Sequence, residues 1–488
     1  MLSTLTRKRD IEHWDAEDVE AWEAGGKDIA RRNLIWSVFA EHIGFSVWSI
    51  WSVMVLFMPT AVFHIDPAGK FFLGAVPTLV GGLARIPYTV LTAKFGGRNW
   101  TIVSALLLLI PTLLALYFVN RPGTSYTTFL IVAAFAGLGG GNFSSSMSNI
   151  NVFFPQRLKG WALGINAGGG NIGVPVVQLI GLAVIATLGN AYGNASVVCA
   201  VYLVLIAAAA IGAALYMDNV KNQKADLSYM IKALKVPQSW AIAFLYIGTF
   251  GSFIGYSFAF GQVLQISFKA GGASVAAATL HAAQIAFIGP LLGSLARPYG
   301  GKWADRIGGG KVTAITFCAM TIAATVVAIA STLGDHRGHP TGSLMVAMII
   351  GFTALFVISG IGNGAVTKII PSVFEAKSRN LQGDSAHRAA WAQNMSGALI
   401  GFVGALGALG GVGINLVLRS SYASTKSATT AFWVFMAFYV VCGLVCWAVF
   451  LRRPGREAAD SDVVIEAESL VLQAESAADS QSTASARA

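Results

Sequence analysis

The sequence predicts an all-α membrane protein with twelve transmembrane helices in two six-helix pseudo-repeats. The 488 residues are 55% hydrophobic and only 11% charged, whereas soluble domains carry about 25% charged residues. A helix needs about 20 mostly apolar residues to cross a bilayer. The segments that meet this requirement, numbered spans 1 to 12, are 34–58, 71–93, 100–119, 126–149, 161–187, 194–217, 239–265, 278–300, 312–333, 343–370, 394–418 and 428–451.

The distribution of basic residues predicts the topology. The net charge is +10, and 24 Lys and Arg lie in the N-terminal arm, the even-numbered loops and the C-terminal tail. The odd-numbered loops hold only 6: Lys70, Arg121, Lys269, Arg337, Arg419 and Lys426. The positive-inside rule therefore places both termini in the cytoplasm of a multi-pass protein of the plasma or inner membrane. Because the basic excess is explained by topology, we expect no nucleic-acid partner.

Composition also divides the chain into segments. A polar N-terminal arm (1–33), which could form an amphipathic helix on the cytoplasmic surface, precedes the first six-helix half (34–217). A cytoplasmic linker (218–237) leads to the second half (238–451). The tail (452–488) is rich in Ala, Ser and acidic residues, so we expect it to be disordered.

The two halves resemble each other in sequence. "LARIPYTVLTAKFGGRNWT" begins at Leu83 and "LARPYGGKWADRIGGGKVT" at Leu295, which aligns Arg85 with Arg297. "GLGGG" in span 4 corresponds to "GIGNG" in span 10. Six helices repeated once in parallel orientation are the layout of major facilitator transporters, whose substrates bind near the midplane between the halves. We therefore predict the major facilitator fold.

Spans 5 and 11 form a glycine-rich pair of the repeat. "GINAGGGNIG" in span 5 corresponds to "GALGALGGVG" in span 11. Small residues let membrane helices approach closely, so we expect these two helices to line the seam between the halves and to slide or rock there. Static packing is the alternative for any one of the glycines concerned: Gly164, Gly168, Gly169, Gly173, Gly404, Gly407 and Gly410.

Two arginines lie deep inside apolar spans at equivalent positions of the repeat. An arginine at a helix centre costs about 2.5–3.5 kcal/mol on insertion scales, and only one acid, Glu41, lies clearly inside a span. Glu41 could neutralise Arg85 or Arg297, but not both. We therefore favour anion binding over a structural salt bridge, since guanidinium groups bind planar oxyanions in bidentate geometry. Asn171, whose repeat partner is Gly411, would contact the substrate or form an interhelical hydrogen bond.

Aromatic residues near these positions are candidates for contacts with a small flat anion. Phe143 follows the glycines of span 4, and Tyr246 and Phe250 lie one turn apart in span 7. An ordinary aromatic core is the alternative. The four cysteines are spaced as packing thiols, and we expect no metal and no cofactor.

At these residues the chain resembles the nitrate/nitrite porter family of the major facilitator superfamily. The resemblance covers nearly the whole chain and rests on "GGGNFSSSMSNINVFFP", "ALGINAGGGNIGVPVVQL", "FLYIGTFGSFIG" and "GPLLGSLARPYGG". It implies a carrier of nitrate and nitrite with six residues at the anion: Arg85 and Arg297 gripping it, Asn171 and Tyr246 hydrogen-bonding it, and Phe143 and Phe250 stacking on its faces. A carrier of another small oxyanion and an anion channel remain alternatives.

Three ionisable residues leave the mode of coupling open between nitrate/nitrite antiport and nitrate/proton symport. Glu41 and His42 lie in span 1, and Lys368 lies in span 10. They could relay a proton along with nitrate, or simply balance one another's charge.

We expect no enzymatic activity. "GLGGGN" would need a preceding strand and a following acid to be a dinucleotide loop, and it lies inside a span. The expected partners are the anions and the lipid bilayer, with protons as a further partner in the symport alternative, and we expect a monomer.

Overall fold

The computed structural model describes residues 10–221, 227–338, 340, 342–382 and 384–452, and within them it contains twelve helices long and apolar enough to cross a membrane. The predicted fold class is confirmed. We name these helices α1 to α12: Val19–Phe57, Pro67–Phe95, Gly97–Phe118, Tyr126–Phe153, Arg157–Leu188, Tyr192–Tyr216, Pro237–Ala270, Val275–Ile307, Gly309–His336, Gly342–Ser378, His387–Thr425 and Thr429–Leu451. Except for Arg452, the tail expected to be disordered lies outside the described residues.

The first helix begins well before the predicted span. The Asp18 carboxylate accepts a hydrogen bond from the Ala21 backbone amide at 3.0 Å, which caps the helix at its N-terminus. Gly25 has a φ of 141° and kinks the helix. Trp22 is buried and packs edge-on against Phe154, with ring centroids 5.9 Å apart. The arm thus packs against the end of α4 rather than lying free on the membrane surface.

A polar junction joins this arm to the start of the linker. A short parallel pair of strands, β1 (Asp10–Ile11) and β2 (Asn219–Val220), connects the two segments. Arg32 forms a salt bridge with Asp218 at 2.5 Å. A helix in the linker, Leu227–Leu234, then precedes the second half.

The two most extensive of the contacts between the halves form two seams. Helix α2 packs against α11, and α5 packs against α8. Gly82 permits the first contact, because a Cβ at this position would lie 3.1 Å from the carbonyl oxygen of Ala405 in α11. Both glycine-rich helices therefore line the boundary between the halves.

Within this boundary each glycine-rich helix packs closely against a helix of its own half. In α5, Gly169 and Gly173 adjoin α1, where added Cβ atoms would overlap Val38 and the His42 carbonyl. In α11, Gly407 and Gly410 adjoin α7 instead. The repeat explains this arrangement: α1 and α7 are the first helices of their halves, and each glycine-rich helix packs against the first helix of its own half. Two of the predicted packing glycines, Gly164 and Gly168, border open space.

Candidate anion-binding site

Arg85 in α2 is held at the boundary between the halves by two glycine carbonyls. Its Nε donates to the Gly140 carbonyl of α4 at 3.3 Å, and its Nη1 donates to the Gly404 carbonyl of α11 at 2.5 Å. The side chain is 1% exposed. Its third nitrogen, Nη2, is buried and has no hydrogen-bond partner among the described residues. One N–H edge of the guanidinium therefore remains available to a hydrogen-bond acceptor.

Aromatic rings surround the same guanidinium. The Arg85 Cζ lies 4.5 Å from the ring centroid of Phe143, 5.1 Å from that of Phe250 and 5.6 Å from that of Trp48. Such cation–π contacts favour a desolvated cation by about 2 kcal/mol or more. The structure thus brings the two predicted phenylalanines together at Arg85, and it adds Trp48, which the sequence analysis missed.

Arg297 in α8 lies on the other side of the two predicted aromatic residues of α7. Its Nη2 donates to the Tyr246 hydroxyl at 3.2 Å, while its Nη1 is buried without a partner among the described residues. The ring of Tyr246 stacks on that of Phe250, with centroids 5.2 Å apart and planes 9° apart. The stacked pair therefore connects the surroundings of Arg297 with those of Arg85.

The local structure of α7 at this pair is unusual. A π-helical turn spans Ile247–Gly251, directly after Tyr246. Such turns occur often at functional sites. A Cβ on Gly407 of α11 would overlap the Tyr246 ring and lie 3.3 Å from the Phe250 ring. The glycine at this position thus gives the two rings their space.

The site carries positive charge without a neutralising acid in direct contact. In the part of the chain that the structure describes, neither Arg85 nor Arg297 takes part in a salt bridge. Buried charges are normally paired or hydrogen-bonded, because desolvation of an isolated ion is costly. Two cations with one free nitrogen each therefore suit a small anion.

Asn171 in α5 is 1% exposed, and its Oδ1 has no partner among the described residues. The interhelical hydrogen bond considered as the alternative is not found in the described part of the chain. The amide is buried at the seam, and its NH₂ group is the part that could donate a hydrogen bond to an anion.

Glu41 lies in a polar cluster formed by three helices of the first half. The carboxylate is 0% exposed and accepts hydrogen bonds from Ser146 of α4 and, at 2.6 Å, from the Asn166 amide of α5. A Cβ on Gly170 would overlap the carboxylate, so this glycine leaves room for it. The Oε1 atom has no partner among the described residues.

Ser146 and Asn166 were not predicted as neighbours of Glu41. Both lie in quoted motifs of spans 4 and 5, where their polarity within apolar spans was a usable signal. The Ser146 Oγ also lies 3.1 Å from the Phe143 carbonyl, a second acceptor for its single proton. This contact connects the carboxylate cluster to the helical turn that carries an aromatic residue of the anion site.

The other two candidate coupling residues do not join this cluster. His42 Nδ1 lies 3.2 Å from the Gly169 carbonyl. Lys368 forms a salt bridge with Asp305 at 2.8 Å, with side chains 45% and 57% exposed. The expected charge balance between Glu41 and Lys368 is therefore not found. The reason is the length of α10, which continues to Ser378 and places Lys368 beside the last turns of α8.

A cavity of about 380 Å³ leads from Arg85 toward the side of the membrane on which the described N- and C-terminal ends lie. Its wall includes Asn151 near the end of α4, Tyr229 of the linker helix and Asn394 near the start of α11. On the opposite side the halves are in contact, with Phe71 of α2 stacked on Tyr422 of α11 at 5.2 Å. The arrangement is that of a carrier open to one side only.

Comparisons with known proteins agree with this architecture. The family model described as "Major Facilitator Superfamily" matches residues 42–405. The nitrate/nitrite transporter NarU of Salmonella typhimurium is 33% identical over 466 residues, covering 92% of this chain and 97% of that protein. The probable nitrate/nitrite antiporter NarK2 of Thermus thermophilus is 30% identical over 464 residues, covering 91% and 97%.

Solved structures show the same fold at low sequence identity. The crystal structure of a D-xylose–proton symporter superposes with a TM-score of 0.62 at 12% identity, covering 86% of this chain and 97% of that one. The crystal structure of the nucleoside transporter NupG gives a TM-score of 0.58 at 16% identity, covering 86% and 99%. With the family match and the curated relatives, this likeness leads to one conclusion: the chain belongs to the major facilitator superfamily and, within it, to the nitrate/nitrite porter family.

Proposed function

We propose that this protein carries nitrate and nitrite across the membrane by alternating access, with the anion bound between Arg85 and Arg297. The observation that carries the proposal is a pair of buried guanidinium nitrogens, Arg85 Nη2 and Arg297 Nη1, one in each half, that have no hydrogen-bond partner in the described part of the chain. An anion that binds both nitrogens would connect the halves at their boundary. The relatives named as nitrate/nitrite transporters support the identity of the anion.

The surroundings of the two arginines favour a small, flat, monovalent anion. The rings of Phe143 and Phe250 contact the Arg85 guanidinium. The Tyr246 hydroxyl accepts a hydrogen bond from the Arg297 guanidinium. Flat aromatic faces restrict the space to a planar group, and two singly charged donors do not compensate the desolvation of a dianion. We therefore propose that sulfate and phosphate are excluded.

Orientation follows from the charge distribution. We propose that both termini lie in the cytoplasm of the plasma or inner membrane, in accord with the positive-inside rule. The described cavity then opens to the cytoplasm, and the closed side faces outward. We further propose that one chain forms the complete translocation path, since residues from both of its halves surround the site.

Counterflow in proteoliposomes tests the proposed function. Vesicles loaded with unlabelled nitrite or nitrate should accumulate labelled external nitrate, whereas vesicles loaded with sulfate should not. Arg121→Lys is a matched control for substitutions at the site, because Arg121 is a loop residue that lies over Tyr117. Absence of counterflow with continued electrogenic flux would favour a channel, and uptake of a different oxyanion would favour a carrier of that anion.

A second function, proton-coupled nitrate import, is favoured by the environment of Glu41. Its carboxylate is buried, accepts two hydrogen bonds through one oxygen and has no basic residue in salt-bridge contact among the described residues. Ionic charge in such a place is costly. We propose that Glu41 gains a proton when nitrate occupies the arginines and loses it after release, and that Ser146 and Asn166 hold the carboxylate in place.

Transport with and without a pH gradient separates the two modes. If Glu41 couples protons, an inward proton gradient should drive nitrate accumulation, and Glu41→Gln should abolish that accumulation while nitrate/nitrite exchange continues. If the rate of nitrate uptake is the same with and without a pH gradient and uptake requires internal nitrite, antiport is the mechanism.

A further inference from the structure

Three buried glutamines cross the boundary between the halves on the closed side of the protein. Gln262 in α7 donates its amide to the Pro67 carbonyl at the start of α2, at 2.9 Å. Gln265, one turn later, donates to the Leu56 carbonyl near the end of α1, at 3.2 Å. Each of these bonds joins the second half to the first.

The third bond runs in the reverse direction. Gln178 in α5 donates to the Ser257 carbonyl of α7 at 2.9 Å and also contacts the Ser52 hydroxyl of α1 at 3.3 Å. Its amide thus joins the first half to the second, one to two helical turns deeper than Gln262 and Gln265. All three glutamines are buried.

We propose that Gln178, Gln262 and Gln265 form an amide gate: their NH₂ groups bind backbone carbonyls of the opposite half while this side is closed, and they receive the entering oxyanion when it opens. The sealing role follows from the positions of the donors and acceptors in opposite halves, since opening this side separates each donor from its acceptor. The second part follows from hydrogen-bond satisfaction, because a donor that loses its carbonyl inside a narrow path needs another acceptor.

The chemistry of the gate suits an anion carrier. Amide N–H groups donate to carbonyl and oxyanion oxygens alike, and hydrogen bonds to an anion are stronger than those between neutral groups. An arriving anion can therefore compete for the same donors. A neutral gate also binds the anion weakly, whereas basic residues at this position would bind it tightly and delay its passage to Arg85. This second part rests on the proposed function, whereas the sealing role does not.

Nearby contacts hold the amides in place within their own half. The Gln265 amide also donates to the Thr279 hydroxyl of α8 at 2.6 Å. A second kind of seal lies on the same side, where the rings of Phe71 and Tyr422 stack. Phe71 supplies no hydrogen-bond donor from its side chain, so it offers a matched control that weakens the closure without removing an amide.

A reporter cysteine can measure opening without any anion present. Thr78 is buried in α2 between the gate and Arg85 and adjoins Gly411 of α11. The four native cysteines, Cys199, Cys318, Cys442 and Cys446, are first replaced by serine or alanine. In a Thr78→Cys reporter, Gln262→Met and Gln265→Met should each speed labelling by a membrane-impermeant maleimide from the closed side, by roughly two- to tenfold for one neutral hydrogen bond. Phe71→Ala should also speed it.

Transport then tests whether the amides receive the anion. Gln262→Met and Gln178→Met should raise the KM for nitrate offered from the closed side several-fold and leave the KM from the termini side unchanged. Phe71→Ala should open the path without raising either KM. Unchanged labelling in the glutamine variants would overturn the gate, and faster labelling with an unchanged KM would overturn its contact with the anion. If neither the parent protein nor any variant transports nitrate, the proposed function is wrong. The rate of maleimide labelling still tests the sealing role in that case.

Discussion

Gly404 in α11 lies directly against Arg85 in α2. Its carbonyl accepts a 2.5 Å hydrogen bond from Nη1, and a Cβ on this glycine would lie 3.0 Å from the same nitrogen and 3.4 Å from the Phe143 ring. One glycine of the second half therefore fixes the position of an arginine of the first half.

The substitution Gly404→Ala tests this relationship. The added methyl group would displace the guanidinium or the ring, so we expect nitrate affinity to fall several-fold while the protein still inserts and folds. Gly401→Ala in the same helix is the control, because a Cβ there has no atom within 4 Å. Nitrate-dependent protection against thermal unfolding in detergent measures the affinity. Equal protection in both variants would show that Gly404 does not position Arg85.

Substitution of either arginine by lysine should weaken anion binding by roughly 10- to 100-fold, since a hydrogen bond to a charged group contributes about 1.5–3 kcal/mol. Lysine keeps the charge of Arg85 or Arg297 but cannot present two parallel N–H groups. Counterflow rates and nitrate affinity, normalised to membrane abundance, check this expectation. Near-normal uptake by either variant would remove that arginine from the site.

The substitution Tyr246→Phe removes one hydroxyl and keeps the ring stack on Phe250. Affinity for nitrate should fall by about 1.5–3 kcal/mol, the contribution of one hydrogen bond to a charged group. Asn171→Ala should have an effect of similar size if its amide contacts the anion. Isothermal titration with purified protein gives both values. A loss of abundance without a loss of affinity in either variant would instead indicate a packing role.

The two environments of the α5 glycines predict opposite responses to alanine. Gly173→Ala should destabilise the protein, because its Cβ would overlap the His42 carbonyl of α1. Gly168→Ala should be neutral or stabilising, since it borders open space and alanine favours helix over glycine. Thermal unfolding of the purified variants decides the matter. Equal destabilisation by both would contradict the packing of α5 on α1.

The Lys368–Asp305 pair predicts that Lys368 has no part in balancing Glu41. Exposed ion pairs contribute about 1 kcal/mol or less, so Lys368→Met should change stability little. The double variant Glu41→Gln/Lys368→Met should behave like Glu41→Gln alone in abundance and in response to a pH gradient. Rescue of Glu41→Gln by the lysine substitution would show that the two charges do interact.

Much of the architecture could be predicted because its causes are local in sequence. Apolar length identifies each span, and the repeat relates Arg85 to Arg297 by simple alignment. The six residues proposed for the anion came from motifs, and the structure places the two arginines and three aromatic residues together. For Asn171 it shows burial and an unsatisfied oxygen.

What could not be predicted is which helix contacts which. The pattern of glycines in spans 5 and 11 indicates close packing but does not identify the neighbour, which is α1 for one and α7 for the other. The position of Lys368 beside Asp305 could not be predicted, because hydropathy does not show where α10 ends and Asp305 comes from a distant segment. Trp48, Ser146 and Asn166 were missed because their roles depend on contacts between helices.

Among the described residues no carboxylate pairs with Arg85 or Arg297, and this also affects the empty carrier. Without an anion, the two guanidinium groups have no direct counter-ion in that part of the chain, so moving the vacant site past the closed boundary is electrostatically unfavourable. A bound anion supplies the missing counter-ion and lowers this barrier. The same two side chains that hold the anion would therefore also slow the return of the empty carrier.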